Sequence, residues 1–69
     1  MEFVVYAKVG GHIYDYDVQA SGALEALKRF VVAFRDQIDH EGMRPIDVRR
    51  KTTEERRQSL LKQYNNEEN

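Results

Sequence analysis

The sequence predicts an α+β domain in the order strand–strand–helix–strand–helix (ββαβα), a three-stranded sheet with the main helix packed on one face. Three observations predict it. Two runs alternating apolar and polar residues flank Gly10-Gly11. A stripe of apolar residues at helical spacing runs from Leu24 to Ile38, and a short alternating run follows Pro45. Alternation with period two is the mark of a strand half in a core, and spacing at three and four residues is the mark of an amphipathic helix.

The first two strands are Phe3–Val9 and His12–Ala20. A two-residue Gly-Gly connection suits a primed turn, whose positive φ angles match the twist of a hairpin. That turn sets the register. Val9 stands opposite His12, Ala7 opposite Tyr14, Val5 opposite Tyr16 and Phe3 opposite Val18, all on one face. The other face pairs Lys8 with Ile13, Tyr6 with Asp15 and Val4 with Asp17. A slip by one residue would reverse both faces, so turn chemistry and hydrophobic pattern support one another.

Ser21 or Gly22 is the expected N-cap of the first helix, with Glu25 near its positive end. Leu24, Leu27, Phe30, Val31, Phe34 and Ile38 form the stripe. Glu25–Arg29 and Arg35–Asp39 are spaced as ion pairs on the wet side, where Val32 also lies. Gly42 is the expected stop, and Pro45 prevents the helix from resuming.

Ile46–Lys51 is the third strand. A right-handed crossover through the helix places it beside the first strand, giving the order 2-1-3. Thr52-Thr53-Glu54-Glu55 has the form of a capping box with Thr52 as N-cap. The helix that follows offers only Leu60, Leu61 and Tyr64 as an apolar stripe. The domain is expected over residues 1–64, with 65–69 a disordered polar tail. The expected core is Phe3, Val5, Ala7, Val9, Tyr14, Tyr16, Val18, Leu24, Leu27, Phe30, Val31, Phe34, Ile38, Ile46, Val48, Leu60 and Tyr64. A core that thin, in a chain of 69 residues, favours a partner chain, so a homodimer is expected.

The chain has no cysteine, which excludes disulfides, thiolate nucleophiles and cysteine zinc sites. A small domain without such staples suits an intracellular, cytoplasmic setting. The start Met1-Glu2-Phe3-Val4-Val5 lacks the form of a signal peptide, and Phe30–Phe34 is too short to span a bilayer, so no membrane partner is expected. Small cysteine-free domains of this kind suit a phage or mobile element.

Charge is unevenly spread. Residues 1–43 hold four Lys/Arg against seven Asp/Glu, net −3, whereas residues 44–64 hold seven against three, net +4. Such a layout fits head-to-tail self-association, or an acidic or basic partner on one face.

No catalytic arrangement is evident. His12 adjoins the turn, and His40 sits where a cation favours a helix C-terminus. Asp36 and His40 share a helix face but lack the further ligands a metal needs. Asp15 and Asp17 share a strand face, which reads as solvated charge rather than an acid/base pair. The Gly10-Gly11 pair lies between two strands, whereas a phosphate-binding glycine loop lies between strand and helix. No catalytic, cofactor or metal residues are assigned, and no enzyme activity is expected.

Two surfaces are candidates for binding. On the outer hairpin face, Val4, Tyr6 and Ile13 form an apolar centre rimmed by Lys8, Asp15 and Asp17, the composition of a protein interface. The second helix covers the same face if it folds back through Leu60, Leu61 and Tyr64. The leading expectation is a non-enzymatic module that docks through Val4, Tyr6, Ile13, Asp15 and Asp17 on another protein and modulates it. The alternative is nucleic-acid binding through Arg49, Arg50, Lys51, Arg56 and Arg57, a cationic cluster at a helix start. Against it stand a pI near 6.1 and the interrupting Glu54 and Glu55. A charged edge strand that discourages aggregation explains the same residues without a ligand.

Overall fold

The computed structural model of the protein describes residues 1–67, with side chains through Asn66. β1 (Glu2–Val9) and β2 (His12–Gln19) form the expected hairpin in the expected register, Val9 opposite His12 through Phe3 opposite Val18. Gly10 and Gly11 have φ of 57° and 85°, a region that side chains with a Cβ enter only at a cost. β3 (Arg44–Arg50) pairs antiparallel with β1, giving the sheet order β2-β1-β3. Pro45 is tolerated because β3 is an edge strand. Ala7 stands opposite Pro45 and Tyr6 opposite Asp47, so Ile46 is an extra residue in a bulge. The bulge explains why Ile46, expected in the core, is exposed.

The first expected helix is divided. α1 (Ala23–Ala33) and α2 (Arg35–Glu41) meet at Phe34, whose φ of −111° and ψ of 26° leave the helical region. No Pro or Gly marks the break; the β-branched pair Val31-Val32, a poor helix former, precedes it. Around the break Phe30 and Phe34 stack with ring centroids 4.7 Å apart, and both meet Tyr16, at 5.5 and 4.6 Å. Gly22 is the N-cap, while the Ser21 hydroxyl donates to the Glu25 carboxylate. Gly42, with φ of 72°, ends α2, and the N–H of Met43 donates to the Gln37 carbonyl.

The core on the α1 side of the sheet contains Val5, Ala7, Phe30 and Met43, extended by Phe3, Ala20 and Ala26. Leu24, Val31 and Tyr14, expected in this core, are exposed. Ala26 and Phe30 point at the sheet, and 100° per residue then carries Leu24 and Val31 onto the flank of α1. Met43 is buried although it lies outside any periodic run.

α3 (Glu54–Glu67) covers the other face, so the sheet lies between helices. Thr53, not Thr52, caps it: the Thr53 hydroxyl accepts from the Arg56 N–H at 3.3 Å. The helix continues through Asn65 and Asn66, past the expected boundary at Tyr64. Glu68 and Asn69, the end of the expected tail, lie outside the described residues. No helix among the described residues is long and apolar enough to cross a membrane.

Candidate functional site

The outer hairpin face is closed by the chain itself. Val4, Tyr6 and Ile13 are at most 3 % exposed, packed beneath Leu60, Leu61 and Tyr64. As an open protein-docking surface these three residues are therefore corrected: burying them lets the short apolar stripe of α3 leave water too. Tyr6 and Tyr64 meet edge to face, centroids 5.4 Å apart. Burial, and then the negative charge of Asp15, raises the pKa of Tyr6.

The polar rim of that face holds α3 in place. Arg57, whose side chain is 11 % exposed, donates through Nε to Asp15 and through Nη1 to Asp17, the latter at 2.7 Å. The acidic pair on β2 and one arginine of the basic segment thus neutralise each other; Arg57 and Asp15 are largely covered, while Asp17 remains about half exposed at 53 %. The Tyr64 hydroxyl donates to Asp47 at 2.5 Å, and Arg49 Nε donates to the same carboxylate at 2.7 Å. Burial opposes ionisation of Asp47, but the bonds from Arg49 and Tyr64 outweigh it and hold its pKa below the ordinary value. Burial, and then the bond to Asp47, raises the pKa of Tyr64.

Asn65 completes the attachment. Its Oδ1 accepts from the Ile13 N–H at 2.9 Å, and its Nδ2 donates to the Ile13 carbonyl at 3.1 Å. Both backbone groups belong to the free edge of β2, so one side chain stands in for a neighbouring strand.

The basic segment is sorted by these contacts. Lys51 pairs with Glu2 at 3.6 Å on the surface, and Arg49 is held by Asp47 yet remains over half exposed. Among the described residues Arg50 reaches the Met1 sulfur, at 3.3 Å. Arg50 and Arg56 have no carboxylate partner among the described side chains.

Arg49, Arg50 and Arg56 line one groove of about 300 Å³ between the end of β3 and α3. Thr52, Ser59 and Gln63 add hydroxyl and amide groups, and Leu60 and Tyr6 are also in its lining. No carboxylate among the described side chains lines it. Local structure explains the grouping except for Arg50, which as the partner of Phe3 alternates toward the α1 side and meets the groove only at the end of β3. Alternation puts Arg49, the partner of Val4, on the α3 side of the sheet. Arg56, Ser59, Leu60 and Gln63 recur at helical spacing and share one face of α3. Glu54 and Glu55 occupy its first turn without lining the groove. Such a surface can hold an anion by charge-assisted hydrogen bonds.

The other candidates stay apart. His12 and His40 are exposed, and among the described residues no three His, Asp or Glu side chains are placed to hold a metal. Sequence reasoning assigned no role to Ser59, Gln63, Asp47 or Asn65. The repeat of Arg56, Ser59 and Gln63 was a readable signal for the groove, and the strand parity of Asp47 with Tyr6 was one for the clasp. In comparisons with protein-family models, with curated proteins and with solved structures, nothing matches this chain.

Proposed function

We propose that the protein is a non-enzymatic module that binds the phosphodiester backbone of nucleic acid in the groove of Arg49, Arg50 and Arg56. The carrying observation is that, among the described side chains, three arginines and no carboxylate line one concave surface, and two of the arginines are free of ion pairs. Guanidinium groups match phosphate oxygens in a fork geometry, and hydroxyl and amide side chains add uncharged bonds. Contacts of this kind fix position on a backbone without reading sequence, so binding is expected to be indifferent to base order.

The sorting of charges sets the expected strength. The five basic residues of the segment are reduced to three in the groove. At about 0.9 per phosphate contact, the slope of log K against log[salt] on duplex is about −1.8 from the two arginines without an ion pair, about −2.7 if Arg49 exchanges Asp47 for a phosphate, and shallower for single strands. Fluorescence anisotropy with labelled single-stranded and duplex oligonucleotides at several salt concentrations measures it. Replacing Arg50 and Arg56 with Ala is expected to flatten the slope by about two contacts and to remove most of the affinity. Absence of binding at low salt, or binding indifferent to both substitutions, sinks the reading.

A second reading, docking on another protein to modulate it, is favoured by one observation on α1. Leu24 and Val32 are 66 % and 75 % exposed, and Val31 is also exposed. Leu24→Asp tests it: loss of a protein partner with nucleic-acid binding intact separates this surface from the groove.

A further inference from the structure

The groove has two walls of different standing. Arg49 and Arg50 belong to β3, which is hydrogen-bonded into the sheet, whereas Arg56, Ser59 and Gln63 ride on α3. The hold of α3 on the sheet is slight. Its apolar seam is Leu60, Leu61 and Tyr64, each only partly buried, and its principal packing is on the hairpin. The remaining fasteners are polar: Arg57 to Asp15 and Asp17, Tyr64 to Asp47, and Asn65 to Ile13. Isolated helices of this length are marginal in water, so α3 depends on docking for its order.

Resting on the phosphate-binding reading, we infer that α3 is a clamp: docking of the helix and binding of a polyanion are one coupled equilibrium. Leu61, Asn65 and Arg57 are then positioning residues for the groove although none of them lines it. A strand bridging Arg50 on the sheet and Arg56 on the helix favours the docked form. By reciprocity, whatever favours docking raises affinity for the strand. The apparent dissociation constant equals the intrinsic one divided by the docked fraction, so a variant that loosens α3 weakens binding without touching a phosphate contact. Leu61 and Asn65 suit the test because their replacement leaves every charge in place.

The experiment pairs affinity with amide exchange, using a fluorescein-labelled oligothymidylate on the intact chain. Leu61→Ala is expected to lower affinity by about threefold or more, and Asn65→Ala by a smaller factor, with the salt slope of the unaltered protein retained. Arg50→Ala changes that slope instead. Saturating oligothymidylate is expected to slow amide exchange across α3 while the slowest amides of β1 change little. Persistent slow exchange in β1 also reports that each variant remains folded, and Asn65→Ala carries the test if Leu61→Ala does not fold. Faster α3 exchange in both variants with unchanged affinity overturns the clamp, as does α3 exchange indifferent to bound strand; the phosphate-binding reading survives either result. Failure of the unaltered protein to bind at low salt instead removes that reading and the clamp with it.

Discussion

Arg57 belongs by sequence to a basic cluster, yet in the folded chain it is absorbed by two aspartates some forty positions earlier. Charge alone did not distinguish it from Arg56, its neighbour in the groove. One helical position, 100°, turns one guanidinium toward the hairpin edge and the other toward β3. The same rule separates Phe30 from Val32 on α1. Phe30 is fully buried against Val5, Ala7 and Met43, whereas Val32 is 75 % exposed. Phe30→Ala is therefore expected to destabilise by about 3–5 kcal/mol through lost burial and a cavity. Val32→Ala should fall within about 0.5 kcal/mol, as surface substitutions do. Urea denaturation followed by circular dichroism measures both, and a reversed order would mean that the helix phase is wrong. Phe30 was legible because five more apolar residues share its stripe; Met43 was not, because a lone apolar residue after a helix stop has no period to betray it.

At the scale of elements, the hairpin was legible to the residue because two independent constraints, a primed turn and strict alternation, demanded the same register. The break at Phe34 was not, since no Pro or Gly marks it and ring stacking across the core is a tertiary matter. α3 was legible as a helix, but its placement was left between two options, because three apolar residues suit either docking or solvent. The deciding contacts are single polar groups whose partners lie far away in sequence. One of them makes docking pH-dependent. Asp47 has a folded pKa below its ordinary 3.8, so its contribution is present above that value and is lost as acid protonates the carboxylate. Tyr64 has a folded pKa above its ordinary 10.0, so docking weakens as pH rises past that value and favours the ionised, undocked phenol. Amide exchange in α3, corrected for intrinsic rates, is expected to accelerate relative to β1 at both extremes. Tyr64→Phe should shrink the alkaline limb to the share left by buried Tyr6, whose pKa is also raised, and blunt the acid one.

Across the whole molecule, the opposed charges of the N-terminal part and the basic segment meet within one chain, through Arg57 with Asp15 and Asp17 and through Lys51 with Glu2. What the sequence presented as a dipole for attracting partners is partly spent on holding the sheet to its second helix. The candidate site was legible as a basic segment and illegible as a groove, because a concavity between β3 and α3 depends on where α3 lands. The Asn65 amide has a further consequence for the life of the chain in solution. While it bonds Ile13, the outer rim of β2 offers one fewer place for a foreign strand to join. Removing residues 65–69 frees that rim and loosens the cover over Val4, Tyr6 and Ile13, pairing an unsatisfied backbone with an apolar run of high β-propensity. The shortened protein is expected to form thioflavin-positive fibrils on agitation under conditions in which the full chain stays clear by light scattering. Equal clarity of both would show that the charged side chains of the rim suffice. On this view the polar C-terminus, compositionally the least informative stretch, acts as the guard that keeps copies of the protein from templating one another.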